Sequence, residues 1–530
     1  MVSATPAQSA MSIFDVLGPV MIGPSSSHTA GAARIGKMGR QILGEEPTAI
    51  GLRFYGSLAA TYKGHMTDTA VVAGLLGMEV DDPLLPTALA IARQRRVEVS
   101  IQTQTHSDRN PNTIEMDLRA PSAARHVVGV SVGGGEILMT EIDDHPVRLD
   151  GKHEVFVIFA APDAALPEQA TTLLGASLRT AETSRRGNET LVTLALHAPV
   201  SGELQSQLLR LPGVRMVRKL QPLYDYGSLD TQPLFGSVVE MLARSKAEGC
   251  SLPDLVAMYE RERSGLDAAA TRRKMARIWE VMQTGMVEGL KGQNKLVGGL
   301  MDGRDGQRLL AAIRQGRLVS GKILPLAIAR AIAVMEVNAA MGKVVAAPTA
   351  GSCGVLPGVL SVVAEDRGSA EGEVMNALLV GTIYGVLIAR VAPVSGALGG
   401  CQSEIGVASA MAAAALVQLA GGTPEQTAQG MALALKSVLG LACDPVAGPV
   451  EVPCIKRNAI GVANALAAAD MALAGIESII PPDEVILALR NVQTLLPMEL
   501  RDTTLGGLGA TPTAQRLKDE WLKRCAGCPS

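Results

Sequence analysis

Leu441–Asn458 reads LACDPVAGPVEVPCIKRN, and Gly396–Gly406 reads GALGGCQSEIG. Both stretches are rich in Gly and Pro, which punctuate rather than extend a helix. Between them they carry Cys401, Cys443 and Cys454. The sequence around them is helical in period and poor in charge, and residues 375–389 and 405–422 contain no charged residue at all. Those two runs approach the length of a membrane span, yet they are built from Ala and Gly more than from Leu, Ile and Phe. Arg390 and Glu404 also punctuate the region. The expectation is therefore buried helices packed through small residues, with no membrane partner. Further Gly/Pro clusters, VAAPTAGSCGVLPG, VAPVSGALGG and TLGGLGATPT, mark breaks of the same kind. Residues 237–530 accordingly read as an all-α domain whose loops bear the cysteines.

Upstream, the period changes. In 153–221, HEVFVIFAA reads as a strand, ALPEQATTLLGASL as a helix, TLVTLALHA as a strand, ELQSQLLRLPG as a helix and VRMVRKLQ as a strand. With a further strand near AETSRR, this is the β-α-β-β-α-β order of a ferredoxin-like unit. PLYDYGSLDTQPLF reads as a linker to the helical part. Residues 1–150 hold short β-like runs (RRVEVSIQTQT, HVVGVSVGGGEILMTEI) and one clear early helix, an α+β domain. The fold class is thus multidomain: α+β, then ferredoxin-like, then all-α.

A chain of 530 residues is too long for one core and suggests about three domains. With 47% hydrophobic residues but only 2% aromatics, packing must rest on Ala, Leu, Val, Ile and Met. A net charge of −3 without a long basic run argues against a nucleic-acid partner. The opening MVSATPAQSAMSIFDVLG shows no basic segment leading into an apolar run, so no secretory signal is expected. Seven cysteines in so long a chain do not make a disulfide framework, and reduced thiols in a cytoplasmic setting fit better.

Four segments carry candidate chemistry. Three cysteines in loops suit a metal or an iron–sulfur cluster, and an odd ligand number leaves one iron open. Their spacing, 41 residues and then ten, does not establish this alone. GPSSSHTAG (23–31) precedes the amphipathic AARIGKMGRQIL, so Ser26 or Ser27 is a natural N-cap, and the amides behind it suit an anion such as a carboxylate. FYGSLAATYKGHMTDTA gathers Ser57, Lys63, His65 and Asp68. His65 suits acid–base work near neutral pH, and Lys63 would need burial to compete as a base. No histidine follows His197, so a catalytic helical half would borrow one from elsewhere. Gly133–Gly135 could cradle an anion or simply turn the chain, and Cys353 ranks with the other loop cysteines on local grounds.

GPSSSHTAGAARIG, FYGSLAATYKGHMTDTA, EVNAAMG, APTAGSCGVLPGVL, GALGGCQSEIGVASAMAAAA, GLACDPVAGPVEVPCIKRNA and GGLGATPT together resemble the iron–sulfur-dependent L-serine dehydratases, in order over nearly the whole chain. The resemblance implies fused portions that some relatives keep as separate subunits, with an ACT-type domain at 153–221. It implies a [4Fe–4S] cluster on Cys401, Cys443 and Cys454, with Cys353 and Cys250 outside the ligand set. His65 becomes the acid/base candidate, with Lys63 as rival. Ser57 and Ser25, Ser26, Ser27, His28 and Thr29 line the substrate site. The implied reaction turns L-serine into pyruvate and ammonia in a cytoplasmic homodimer, and a Cys525 or Cys528 thiolate could cap the fourth iron. Three departures stand out: Met66 where a glycine is usual, SGKILPLA in a segment usually read otherwise, and AAPDAALPEQ without the glycine that admits a regulator. A pyridoxal-phosphate enzyme using Lys63 and the triple glycine would leave the cysteine segments unexplained. A zinc site on three scattered thiols would be a poor tetrahedral set.

Overall fold

A computed structural model describes residues 11–104, 108–162, 166–198, 200, 202–226 and 231–526. Its backbone divides into two compact units. One comprises Gly31–Ala59 and Thr67–Leu229; the other comprises Met1–Ala30, Ala60–Met66 and Asp230–Ser530. Two pieces of the N-terminal 150 residues, Met1–Ala30 and Ala60–Met66, therefore cluster with the helical part, a division different from the consecutive regions expected at 1–150, 153–221 and 237–530.

The first unit holds two sheets. In the six-stranded sheet the order is Glu98–Gln104, Ala49–Tyr55, Thr113–Arg119, Ala124–Gly133, Glu136–Ile142 and His145–Leu149. Only the first pair is parallel. Helices Gly31–Leu43 and Thr67–Leu75 pack against one another almost backbone to backbone. A Cβ at Gly36 would lie 2.2 Å from the Val71 carbonyl oxygen, and one at Gly74 would lie 1.9 Å from that of Ala33. The sheet of four is antiparallel, in the order Val214–Leu220, Val155–Ala160, Glu189–Leu196, Leu178–Arg186. With helices Leu166–Leu174 and Gly202–Leu209, its elements run β-α-β-β-α-β along the chain. Phe156, Ile158, Val192, Leu194 and Leu208 form its core.

The second unit is helical, with one short antiparallel pair, Val20–Ile22 against Lys343–Val345. Helices Ile323–Ala339, Val355–Arg367, Glu371–Val391, Val407–Leu419, Pro424–Lys436 and Cys454–Leu473 make its centre. Their starts and stops follow local chemistry. Thr423 and Gln426 form a reciprocal capping box with Pro424 just inside the helix, and Gly368 closes another helix in the left-handed conformation. Ala408, Ala410 and Ala412–Ala415 are buried, and a Cβ at Gly381 would come 2.7 Å from the Met411 carbonyl oxygen. Small side chains thus let helix backbones meet, which is how a core almost free of aromatics reaches close packing. Glu371–Val391 is long and apolar enough to cross a membrane, and 78% of its most apolar window is buried within the protein.

Candidate functional site

The site lies within the helical unit and begins with a wide turn. Ser26–Ala30 winds as a π-helix, and the regular helix starts only at Gly31. This differs from the N-cap expected at Ser26 or Ser27. Ser25 plays the capping part instead: its hydroxyl accepts from the His28 amide at 3.1 Å, and its carbonyl accepts from the Thr29 amide at 2.8 Å. Ser26 Oγ accepts from the Ala350 amide at 3.0 Å, and Ser27 Oγ sits 2.8 Å from His28 Nδ1. Gly23, at φ +118°, admits Thr29, since a Cβ there would meet Thr29 Cγ2 at 2.3 Å. The Thr29 hydroxyl then donates to the His65 carbonyl at 2.8 Å, which joins the two histidine segments.

His28 and His65 meet edge to face, ring centroids 4.6 Å apart, and both are buried. Burial, then the neighbouring His65, pulls the His28 pKa down to about 3 against the attraction of Asp502. His65 is lowered as well, by burial, again opposed by Asp502. Both rings are therefore neutral at pH 7, and His65 Nδ1 is buried without a hydrogen-bond partner. Nitrogen atoms of the two rings and a carboxylate oxygen of Asp502 all lie within 4.8 Å of one another. Met66, beside His65, takes φ +54°, a left-handed conformation that a glycine adopts more readily.

Asp502 connects this histidine pair to the cysteines. One of its oxygens is 3.8 Å from His28 Nε2 and the other 3.7 Å from Cys443 Sγ. Its own position is fixed by the backbone: the Cys443 amide donates to the Leu500 carbonyl, and the Asp502 amide donates to the Cys443 carbonyl, each at 2.8 Å. The Cys401 and Cys443 loops are tied by the Gln402 amide on the Leu441 carbonyl at 2.9 Å. Arg457 reaches back from helix Cys454–Leu473 to the Ala442 carbonyl at 2.7 Å, Asp444 at 2.7 Å and Cys401 Sγ at 3.6 Å. Asn458 ties Cys454 to the 349–354 loop, donating to the Cys454 carbonyl at 3.0 Å and the Gly351 carbonyl at 2.9 Å.

Cys401, Cys443 and a Glu404 oxygen form a second group within 4.8 Å. A hydrogen bond with Cys401, then burial, raises the Cys443 thiol pKa well above its ordinary value. Burial, then the charge on Cys401, does the same to Cys454. Glu404 is pushed up to about 7 by burial and then by Asp502, while hydrogen bonds from Thr349 and Gly396 pull the other way. Cys443 and Cys454 thus hold their protons unless a positive charge sits beside them, which is the behaviour of metal ligands.

Of the residues singled out in the sequence, His28, His65, Cys401 and Cys443 come together in these groups. Cys454, half-buried at the first turn of its helix, stands outside both groups but feels the charge on Cys401. Lys63 is half-buried, its ammonium 5.9 Å from the Tyr62 ring, and it has no place in either group. Ser57 is buried in the other compact unit. The Gly135 carbonyl accepts from Arg34 at 2.7 Å, and all three glycines of 133–135 have positive φ, the geometry of a turn between strands. Cys353 Sγ faces Met335 Sδ at 3.6 Å. Cys528 and the Cys525 side chain lie outside the described residues, as do 163–165 in AAPDAALPEQ. Glu404, Asp502 and Arg457 were missed, although Glu404 stands one helical turn past Cys401 and Arg457 three residues past Cys454.

Family models match two parts of the chain. Residues 247–509 match the serine dehydratase alpha chain and residues 12–116 the serine dehydratase beta chain. The probable L-serine dehydratase alpha chain of Bacillus subtilis is 45% identical over 285 residues, 54% of this chain and 94% of that protein. The probable beta chain of the same organism is 36% identical over 214 residues, 39% of this chain and 97% of that one. L-serine dehydratase 2 of Escherichia coli is 30% identical over 524 residues, 94% of this chain and 98% of its own length.

Proposed function

Since the chain belongs to the L-serine dehydratase family, with the parts matching alpha and beta chains joined in one polypeptide, we propose that it converts L-serine to pyruvate and ammonia using a [4Fe–4S] cluster. The observation carrying this reading is Asp502, which touches both Cys443 and His28 and so brings a thiol set and an acid–base pair to one place. Cys401, Cys443 and Cys454 would hold the cluster. The donor set fits: two of the thiols are buried, Arg457 donates to Cys401, and the third begins a helix, whose N-terminal dipole favours a thiolate. When bound, a cluster with three thiolate ligands supplies an open iron that draws off the serine hydroxyl as a Lewis acid without redox change.

The protein's own groups supply the rest. His65, neutral and with Nδ1 unpartnered, takes the Cα proton; Lys63 and Ser57 are left out of that role. His28, held by Ser27 and Asp502, orients the pair. The turn at Ser25–Thr29 offers hydroxyls and amides to the substrate carboxylate. Loss of the Cα proton and the β-hydroxyl leaves aminoacrylate, which tautomerises to an imine and takes up water to release ammonia and pyruvate. The β-α-β-β-α-β order of 153–221 supports reading it as a ferredoxin-like unit of ACT type. The enzyme is proposed to work in the cytoplasm as a homodimer.

Anaerobic reconstitution with iron and sulfide, followed by pyruvate assay from L-serine, tests the proposal. Brown protein whose turnover fades in air is the expected result. Turnover that requires pyridoxal phosphate, or that survives air and chelator unchanged, sinks it.

A further inference from the structure

We infer that Glu404 receives the ammonium group of the substrate, an inference resting on the reading that this site acts on an amino acid. Glu404 is a half-buried residue beside the thiol loops. One of its oxygens lies within 4.8 Å of sulfur atoms of Cys401 and Cys443. Two glycines make room for it: a Cβ at Gly396 would approach Oε2 at 2.9 Å, and one at Gly351 at 3.2 Å. Among the described residues no lysine or arginine pairs with Glu404. The Arg457 guanidinium, which contacts Cys401, is engaged by Asp444, the Ala442 carbonyl and Cys401.

The charge arithmetic then points one way. An oxygen of Glu404 lies within 4.8 Å of the Cys401 and Cys443 sulfurs and an oxygen of Asp502 lies 3.7 Å from Cys443, so two carboxyl groups border the same thiols. The Thr349 hydroxyl and the Gly396 amide, both neutral donors, already hydrogen-bond Glu404, and a small cationic group adds the charge-assisted bond they do not supply. In an amino acid that group is the ammonium. The other end of the substrate has its own recognition surface on the same loop. The Ala350 amide is held by Ser26 of the serine-rich turn, and the next residue, Gly351, faces Glu404. Carboxylate and ammonium recognition thus flank residues 350–351, which fixes the orientation of Cα between them.

The test compares two competitive inhibitors on the holoenzyme: D-serine, which carries an ammonium, and 3-hydroxypropanoate, which does not. In Glu404→Gln the inhibition constant of D-serine is expected to rise about 10- to 100-fold, the scale of a charge-assisted hydrogen bond. That of 3-hydroxypropanoate should stay within about threefold, and iron content should match wild type. Equal weakening of both inhibitors, no weakening of D-serine, or loss of iron would each overturn the inference. Should the variant fail to fold, Gly351→Ala, whose added methyl crowds the same carboxylate, is expected to show the same selectivity on a smaller scale; equal effects on both inhibitors there would also overturn it. Wild type that turns over no L-serine would instead sink the proposed reaction, so the two failures are distinguishable.

Discussion

Cys443 is where the two halves of the site meet, since its sulfur is shared by the Cys401/Glu404 group and the Asp502 contact. Cys443→Ala should therefore lose bound iron and pyruvate formation together, measured as iron per chain and as turnover. Cys353→Ala should keep both, because Cys353 packs on Met335 rather than on the other thiols. Iron lost on removing Cys353 would reassign the ligand set. His65→Ala should retain iron and lose turnover by about 100-fold or more; near-normal turnover would remove it as the base. Cysteines and histidines were readable because they are scarce, seven of each in 530 residues, and stand in Gly-rich contexts that few structural roles need. Glu404 and Asp502 were not, because 51 acidic residues offer no such contrast. Only the fold distinguishes a carboxylate set beside a thiol from one on a solvated face.

Among the elements, Glu451 ties the Cys454 loop to the rest of the unit. Its carboxylate accepts from four consecutive amides, Gly298 at 2.6 Å, Gly299 at 3.0 Å, Leu300 at 2.8 Å and Met301 at 3.1 Å. That loop in turn meets the last helix, where Arg524 donates to the Gly298 carbonyl at 3.3 Å and Ala514 and Leu517 pack with Val446, Ala447 and Leu300. Glu451→Ala leaves four amides without their acceptor and should cost about 2–4 kcal/mol of stability. It should also speed iron release to a chelator, since Cys454 lies three residues on. Unchanged melting and unchanged iron release would show the clamp to be idle. The strands read in 153–221 correspond to Val155–Ala160, Leu178–Arg186, Glu189–Leu196 and Val214–Leu220, because short β-like runs are a local signal. The pairing of Val20–Ile22 with Lys343–Val345 was beyond such reading: three residues carry no periodicity, and their partner lies more than half the chain away.

For the molecule as a whole, two kinds of buried group pull its pH dependence in opposite directions. His28, lowered to about 3 by burial, and His65, lowered likewise, stay neutral when folded but take protons in the unfolded chain below about 6.5. The unfolded state then binds more protons, so this contribution is present above about pH 6.5 and is lost as pH falls toward 3. Glu336 has the reverse sign. Burial first, and then Asp305 and Asp302, raise its pKa to about 7, although backbone hydrogen bonds from Asp305 and Gly306 pull it down. Its Oε1 accepts from the Asp305 amide at 2.6 Å, and its other oxygen is buried without a partner. Between about pH 4.5 and 7 the folded state keeps a proton that the unfolded chain has released, so stability falls as pH rises through that window. The two trends oppose each other between about pH 4.5 and 6.5, and single variants separate them. Glu336→Gln keeps an acceptor for the Asp305 amide and removes the ionisation. Relative to wild type it should gain about 1–3 kcal/mol on going from pH 5 to pH 7.5, read from urea unfolding at both values. His28→Gln should instead gain relative to wild type as pH falls from 7.5 to 5. If the Glu336→Gln difference is the same at both values, Glu336 is ionised in the folded protein throughout, and its burial is balanced by a cation the described contacts do not include.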